Sequence, residues 1–276
     1  MIAIAMATYN GEKYLTEQIN SILEQSYSNW VLFVHDDNSS DNTVSIIRQY
    51  QIDYPEKIIF LDDNISFGNP QDNFSYIITN IPNNYEYYMF ADQDDFWLKN
   101  KIELTLNKML EINSNNEFLP KIVHTDLFIV DSELNMINTS MWDFQKIDYK
   151  EINTKKLLTQ NNVTGCTMMF DKNVKDLFFP IPQESLMHDW WIAVNVSHYG
   201  IIKYIEEPTI YYRQHSANSV GAKTPNLFYY LKKLLQIKKV CTHYINLYHM
   251  IKCLNFKVNF LEVLFLKGLI IAKRIF

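Results

Sequence analysis

Four apolar runs of strand length, each closed by a polar turn and followed by a helical pattern, constrain this chain more than any other feature. Residues 2–7 are continuous and apolar and end at Thr8-Tyr9-Asn10-Gly11, a turn signal. Leu15, Ile19, Ile22 and Leu23 then share one helical face. Trp30 to Val34 is the second run, ending in His35-Asp36-Asp37-Asn38-Ser39-Ser40-Asp41. Asp41 or Ser40 can cap the next helix, which turns Val44, Ile47 and Tyr50 or Ile46 inward. Lys57 to Leu61 is the third run, and a short helix near Asn73 to Asn80 leads to the fourth at 86–91. Runs without apolar–polar alternation are buried on both faces, so the pattern predicts a mostly parallel, right-handed, doubly wound α/β sheet slotted between helices. Further on, Ile102, Leu106, Met109 and Leu110 mark a helix and residues 121–130 a strand. Gly165 to Phe170 is strand-like, Asp171 starts a short helix, and His188 to Tyr199 has helical spacing. Ile201 to Tyr212 reads as one or two strands broken at Pro208.

With 276 residues, 47% of them hydrophobic and 20% charged, the chain has room for one large α/β domain plus an appendage. The three cysteines, Cys166, Cys241 and Cys253, have neither zinc-type spacing nor the number for a disulfide framework, which fits a reducing compartment. The N-terminus lacks a basic region and reads as a strand, not a signal peptide. No stretch of about 18 apolar residues predicts a transmembrane helix. The net charge of −6 is uneven. From Asn226 onward there are nine Lys or Arg and one acid, Glu262, leaving 16 basic and 30 acidic residues in the body. An acidic body argues against nucleic acid as a partner.

Chemistry concentrates at the strand ends and in two later clusters. Asp92, Asp94 and Asp95 follow the fourth apolar run within four residues. Carboxylates so close repel each other, and hard oxygen ligands suit Mg²⁺ or Mn²⁺, so Asp92 and Asp94 are read as a metal site facing an anionic substrate, most plausibly a diphosphate. Such a site belongs at the carboxyl ends of parallel strands. The simpler alternative is an acidic surface turn with a helix cap. Tyr9, at the end of the first strand, can stack on a base. Asp37, at the end of the second, can accept hydrogen bonds from a pyrimidine imide or a ribose hydroxyl. In Leu186-Met187-His188-Asp189-Trp190-Trp191, Asp189 falls in a first helical turn, suited either to the macrodipole or to a general base. One of the two Trp residues can face a sugar ring while the other is core. In Tyr212-Arg213-Gln214-His215, Arg213 or His215 can hold diphosphate oxygens, or His215 can complete the metal shell.

Together these pieces resemble glycosyltransferase family 2, enzymes of the GT-A fold, over about residues 1–222. The matching residues are Ala7-Thr-Tyr-Asn10, Asp36-Asp-Asn-Ser-Ser-Asp41, Asp92-Gln-Asp94-Asp95 with Trp97, His188-Asp189-Trp190-Trp191, and Tyr212-Arg213-Gln-His215 with Asn218 and Gly221. The wording is nearest to a bacterial rhamnosyltransferase-like branch. Many members carry Glu-Asp where this chain has His188-Asp189, and the Gln-x-x-Arg-Trp motif of processive synthases is absent. The resemblance implies a Rossmann-like GT-A domain over 1–222, with a nucleotide-sugar half to about residue 100 and an acceptor half after it. It implies an inverting, metal-dependent transfer from a nucleotide diphosphate sugar, dTDP-rhamnose or a UDP-hexose, to a hydroxyl of a glycan or lipid-linked glycan. Ala7, Tyr9, Asn10, Asp37, Asp92 and Arg213 would bind the donor. Asp94, with Asp92 and His215, would hold Mn²⁺ or Mg²⁺. Asp189 would be the base, and Trp190, Trp191, His188 and Trp97 would meet the acceptor. Competing classes are a non-catalytic sugar-nucleotide or glycan-binding protein and a sugar nucleotidyltransferase. The latter would want a Gly-rich phosphate loop where Thr8-Tyr-Asn-Gly-Glu stands.

Residues 223–276 form a separate expectation. Leu227, Leu231, Leu234 and Leu235 sit at helical spacing among Lys232, Lys233, Lys238 and Lys239. Phe260, Leu261, Leu264, Phe265, Ile270 and Ile271 repeat this among Lys257, Lys267, Lys273 and Arg274. Amphipathic basic helices predict attachment to an anionic membrane surface, at the inner face of the cell membrane, or else a hairpin packed on the domain or on a second subunit as a homodimer.

Overall fold

The computed structural model describes residues 1–113, 116, 118–215 and 236–275. Asn218, Gly221, Leu227, Leu231, Leu234, Leu235, Lys232 and Lys233 lie outside the described residues.

Strands β1 (Ile2–Thr8), β2 (Trp30–Asp36), β3 (Ile58–Phe60) and β4 (Tyr87–Ala91) pair in the order β3-β2-β1-β4, all parallel. Helices α1 (Leu15–Leu23), α2 (Thr43–Asp53) and α3 (Pro70–Asn80) connect them. The apolar runs are buried on both faces as their composition requires. Ala3 and Ala5 enter one core layer with Phe74 and Ile77 of α3, while Ile2, Ile4 and Met6 enter the other with Leu15, Ile19 and Ile22 of α1. Pro70 stands in the first turn of α3, and the Asn69 side chain accepts from Asp72 N–H at 2.9 Å to start it.

The second half of the sheet is mixed, where a doubly wound pattern predicted mostly parallel pairing. After the short β5 (Phe96–Trp97) and α4 (Lys101–Asn113), strand β6 (Lys121–Val130) runs parallel to the first four but is separated from β4 by an antiparallel strand, β8 (Met169–Asp171). Between β6 and β8 lie β7 (Met136–Asn138), α5 (Met141–Phe144), α6 (Thr154–Thr159) and a 3₁₀ turn, Gly165–Thr167. Then come α7 (Lys172–Phe178), α8 (His188–Tyr199) and β9 (Ile201–Arg213), which pairs parallel to β6 and antiparallel to β5. A short strand entering from the far end of the sheet needs no crossover helix, so hydrophobic periodicity carries no sign of its direction. In α4, Leu110 turns outward while Ile102, Leu106 and Met109 are buried.

Two helices complete the chain, α9 (Ile237–Lys252) and α10 (Phe260–Ile275). Leu247, Met250, Ile251, Leu254 and Val263 join the same core layer as Ala3, Phe74 and Trp191, so the appendage shares its core with the sheet domain. Among the described residues no helix is long and apolar enough to cross a membrane.

Candidate active site

The parallel strands deliver their carboxyl ends to one edge. The register pairs Thr8 with Asp36 and Met6 with Ala91, so Tyr9, Asp37 and Asp92 leave the sheet side by side. The Gln93 side chain clasps the first loop, donating to Tyr9 O at 2.9 Å and accepting from Tyr9 N–H at 2.8 Å. Tyr9 itself is 58% exposed, free to stack. Asn10 has a left-handed backbone (φ 47°), and its side-chain oxygen accepts from Ser40 N–H at 2.9 Å, tying the loop after β1 to the loop after β2. Asp37 is buried, and its carboxylate accepts from Ser66 Oγ at 2.9 Å, Gly68 N–H at 2.8 Å and Phe67 N–H. These bonds fold the 62–71 loop over the end of β2.

The acidic loop after β4 divides its carboxylates between two surroundings. Asp94 points to His215, whose Nε2 lies 2.8 Å from Oδ2. Asp95 turns inward and is fully buried, with Oδ1 3.3 Å from Arg213 N–H. Burial, with Asp92 and Asp94 nearby, raises its pKa well above the carboxylate range. Asp92 lies between them, raised to about 7 by burial first, then by the charges of Asp94 and Asp189. The Cys166 thiol lies within hydrogen-bonding reach of Asp92 and Asp95, and the three residues bring ligand-type atoms within 4.8 Å of one another. Lys101, buried at the start of α4, lies 4.8 Å from the Trp97 ring; burial lowers its value to about 8 against the charges of Cys166 and Asp95.

Asp189 approaches the same carboxylates from the first turn of α8. Burial raises it to about 6, opposed by hydrogen bonds from Gly165 N–H (3.0 Å), Trp190 N–H (2.6 Å) and the Asn161 side chain. The 3₁₀ turn is the connector, because Gly165 binds Asp189 and the next residue, Cys166, binds Asp92 and Asp95. A Cβ on Gly165 would lie 2.9 Å from His188 Nε2 and 3.3 Å from Asp189 Cβ, so the approach of α8 requires glycine.

Several expected contacts fall elsewhere. Arg213 is turned into the protein. Its guanidinium is buried, donating to Asp94 O (2.9 Å), Ser132 O (2.7 Å) and the Glu17 carboxylate, and its centre lies 4.5 Å from the Tyr14 ring. It positions the acidic loop. Trp97 is buried in the core with α1 and α4 and cannot meet an acceptor. His188 is packed between Phe74 and Phe90, at 4.4 and 4.7 Å, and burial lowers it to about 3, so it is a neutral core histidine. Both Trp N–H groups of α8 are satisfied internally: Trp190 donates to Leu157 O at 2.6 Å and Trp191 to Phe178 O at 3.2 Å. Asp95, Cys166, Gly165, Gln93 and Asn161 were not assigned from sequence. Asp95 and Gln93 had the signal of standing inside the acidic motif, whereas the other three had none.

The donor set suits a divalent cation. The Asp94 carboxylate and the His215 imidazole converge at 2.8 Å beside Asp92, whose acidity is depressed by the like charges that a cation would offset.

Residues 3–178 match the family model described as Glycosyl transferase family 2. The chain is 32% identical to the dTDP-rhamnosyl transferase RfbG of Shigella flexneri over 226 residues, 79% of this chain and 74% of that protein. It is 28% identical over 195 residues to WfgD of Escherichia coli, a UDP-Glc:alpha-D-GlcNAc-diphosphoundecaprenol beta-1,3-glucosyltransferase, covering 69% of this chain and 68% of that one. Among solved structures, S. aureus TarS 1–349 superposes with a TM-score of 0.57 at 17% identity, over 77% of this chain. The mannosyltransferase PcManGT of Pyrobaculum calidifontis, in complex with GDP-Man and Mn²⁺, superposes at 0.55 and 15% identity, over 80% of this chain. This chain spans 60% and 58% of those two solved chains. Both likenesses show the fold, a GT-A sheet with flanking helices. On its sequence match and its fold, the chain belongs to glycosyl transferase family 2.

Proposed function

We propose that this protein is an inverting, metal-dependent glycosyltransferase that moves a sugar from a nucleotide diphosphate donor to a hydroxyl of a growing bacterial surface glycan. One observation carries the reading: Asp92 lies near enough to both Asp94 and Asp189 for their charges to raise it, so the metal-type pair and the candidate base are neighbours. Tyr9 and Asp37 stand where the base would lie, at the ends of β1 and β2, with Ala7 and Asn10 shaping the loop. A base edge that donates to Asp37 replaces bonds the carboxylate now receives from Ser66, Phe67 and Gly68. Asp94, Asp92 and His215 would hold Mn²⁺ or Mg²⁺, which supplies charge neutralisation for the departing diphosphate.

Asp189 takes the acceptor's hydroxyl proton. The acceptor oxygen forms a bond to the anomeric carbon as the bond to the diphosphate oxygen breaks, and that oxygen leaves with the electron pair. A single displacement inverts the anomeric configuration. A carboxylate raised to about 6 is ionised at neutral pH and more basic than a free one, as a general base should be. The names of RfbG and WfgD support dTDP-rhamnose or a UDP-hexose as donor, and that of WfgD a lipid-linked glycan as acceptor, which would be met at a membrane surface.

Asp189→Asn tests the assignment. Sugar-nucleotide binding, read by calorimetry with Mn²⁺, stays within about twofold while turnover falls about 10³-fold or more. A variant with near-normal turnover removes Asp189 from the mechanism. Asp94→Asn and His215→Ala each weaken Mn²⁺ binding without unfolding the protein, and unchanged Mn²⁺ affinity in both excludes them as ligands.

A further inference from the structure

The last helix leaves one face uncovered. Leu261, Phe265 and Leu269 are 74%, 66% and 52% exposed. They recur at every fourth position of α10 and form one row, with Gly268 and Ala272 exposed beside them. Single exposed apolar residues need no explanation, but a row of three large ones marks a contact surface.

The helix is not free to roll and hide this row, because its other face is held. Val263 enters the core, and Glu262 pairs with Lys155 of α6 at 2.6 Å. Lys267 donates to Thr159 O, and Lys146 donates to Arg274 O at 3.0 Å while Arg274 donates back to Lys146 O.

Charge chooses the occupant. From Gln236 onward the chain carries Lys238, Lys239, Lys252, Lys257, Lys267, Lys273 and Arg274 against one acid, Glu262, which Lys155 already neutralises. Lys257 and Lys273 are exposed near the two ends of the row. A second copy of the same face would bring cation to cation across a two-fold contact. An anionic surface removes that repulsion. A 16-residue helix is about 24 Å long, too short to span a bilayer, but suited to lie in its interface.

We propose that the outer face of α10 docks on an anionic lipid bilayer, seating Leu261, Phe265 and Leu269 at the headgroup–acyl boundary with Lys257 and Lys273 against lipid phosphates. This deepens the membrane part of the proposed function and rests on no step of its chemistry. The docked helix lies against α6, and α6 against α8, which begins with His188 and Asp189.

The test is flotation of the full chain with vesicles of phosphatidylcholine, alone or with about 30% phosphatidylglycerol. The wild type floats with the anionic vesicles and is released near 0.5 M salt, where charge is screened within about 4 Å. A Leu261→Ser/Phe265→Ser/Leu269→Ser variant loses about tenfold or more of the bound fraction, and Lys257→Gln/Lys273→Gln weakens binding to anionic vesicles only. Both variants change exposed side chains, so their melting curves match the wild type, and transfer to a soluble acceptor, where the protein has it, is unchanged. Equal flotation of the triple variant, or no flotation of the wild type, overturns the proposal. So does sedimentation showing a wild-type dimer that the triple variant dissociates, which would make the row a subunit interface.

Discussion

Replacing Asp189 by Asn is expected to change how stability depends on pH, by an amount the site itself sets. The folded value of Asp189 is about 6, roughly two pH units above an unfolded aspartate, and burial is the main cause. Between about pH 4 and pH 6 the unfolded chain has already lost this proton while the folded chain keeps it. Stability therefore falls as pH rises through that window and stays lower above it. At 1.36 kcal/mol per pH unit the full effect is about 3 kcal/mol, and solvent at the rim of the half-buried carboxylate reduces it to about 1–2. The Asn variant has no such proton. It also leaves one of the Gly165 and Trp190 N–H groups without a carboxylate oxygen, but that loss is the same at every pH and cancels in the comparison. Denaturant unfolding of both proteins in EDTA, at about pH 4, 5, 6 and 7.5, gives the difference directly. The variant should gain on the wild type by about 1–2 kcal/mol between the lowest and highest pH. Relief of Asp92, which feels the Asp189 charge, carries the same trend toward pH 7. A constant difference, or one that moves the other way, would refute the idea that a desolvated carboxylate sits at the start of α8.

Other substitutions probe the supports of the site. Gly165→Ala should lower turnover about 10–100-fold with a modest drop in melting temperature, because the new methyl meets His188 and Asp189 and pushes α8 away; unchanged turnover would mean the turn does not set the position of Asp189. Arg213→Lys keeps the charge but cannot serve Asp94 O, Ser132 O and Glu17 at once, so stability should fall by about 2–3 kcal/mol and Mn²⁺ affinity with it. Should Mn²⁺ affinity survive, Arg213 is a scaffold only. Truncation after residue 235 removes Leu247, Met250, Ile251, Leu254 and Val263 from a shared core, at about 1.5–3 kcal/mol each as an upper bound, and should leave an aggregating protein. A stable, monomeric 1–235 fragment would establish the tail as a separate domain.

The first four strands and their helices were legible because one physical rule governs them. A strand covered on both faces must be apolar where it is covered, and residues 2–7, 30–34 and 87–91 are. α8 was legible to its end residues, His188 and Tyr199, from spacing. The second half was not, because β8 is three residues long and antiparallel, and its place between β4 and β6 depends on tertiary pairing alone. The basic tail read as a detachable amphipathic unit, since helical spacing cannot say which of two apolar faces finds the core. Met250 and Ile251 found it, whereas Phe265 did not.

The site divides along the same line. Acids at strand ends could be named from sequence because ends of parallel strands gather at one edge, whatever the loops do. The residues that hold those acids in place could not. Arg213 looks like an anion ligand from its neighbours, yet a guanidinium whose donors reach Asp94 O, Ser132 O and Glu17 is a brace. His188, Trp190 and Trp191 look like a sugar platform, yet α8 must turn Asp189 toward the cleft. Its flanking side chains are then driven into the protein, where His188 meets Phe74 and each indole finds a carbonyl. As the proposed base, Asp189 needs this dry collar, because desolvation is what makes it basic. In the proposed function the aromatic residues beside Asp189 then exclude water from its back. Substituting Trp190 by Phe should shift the pH at which turnover is half-maximal, and leave the acceptor's KM where it was.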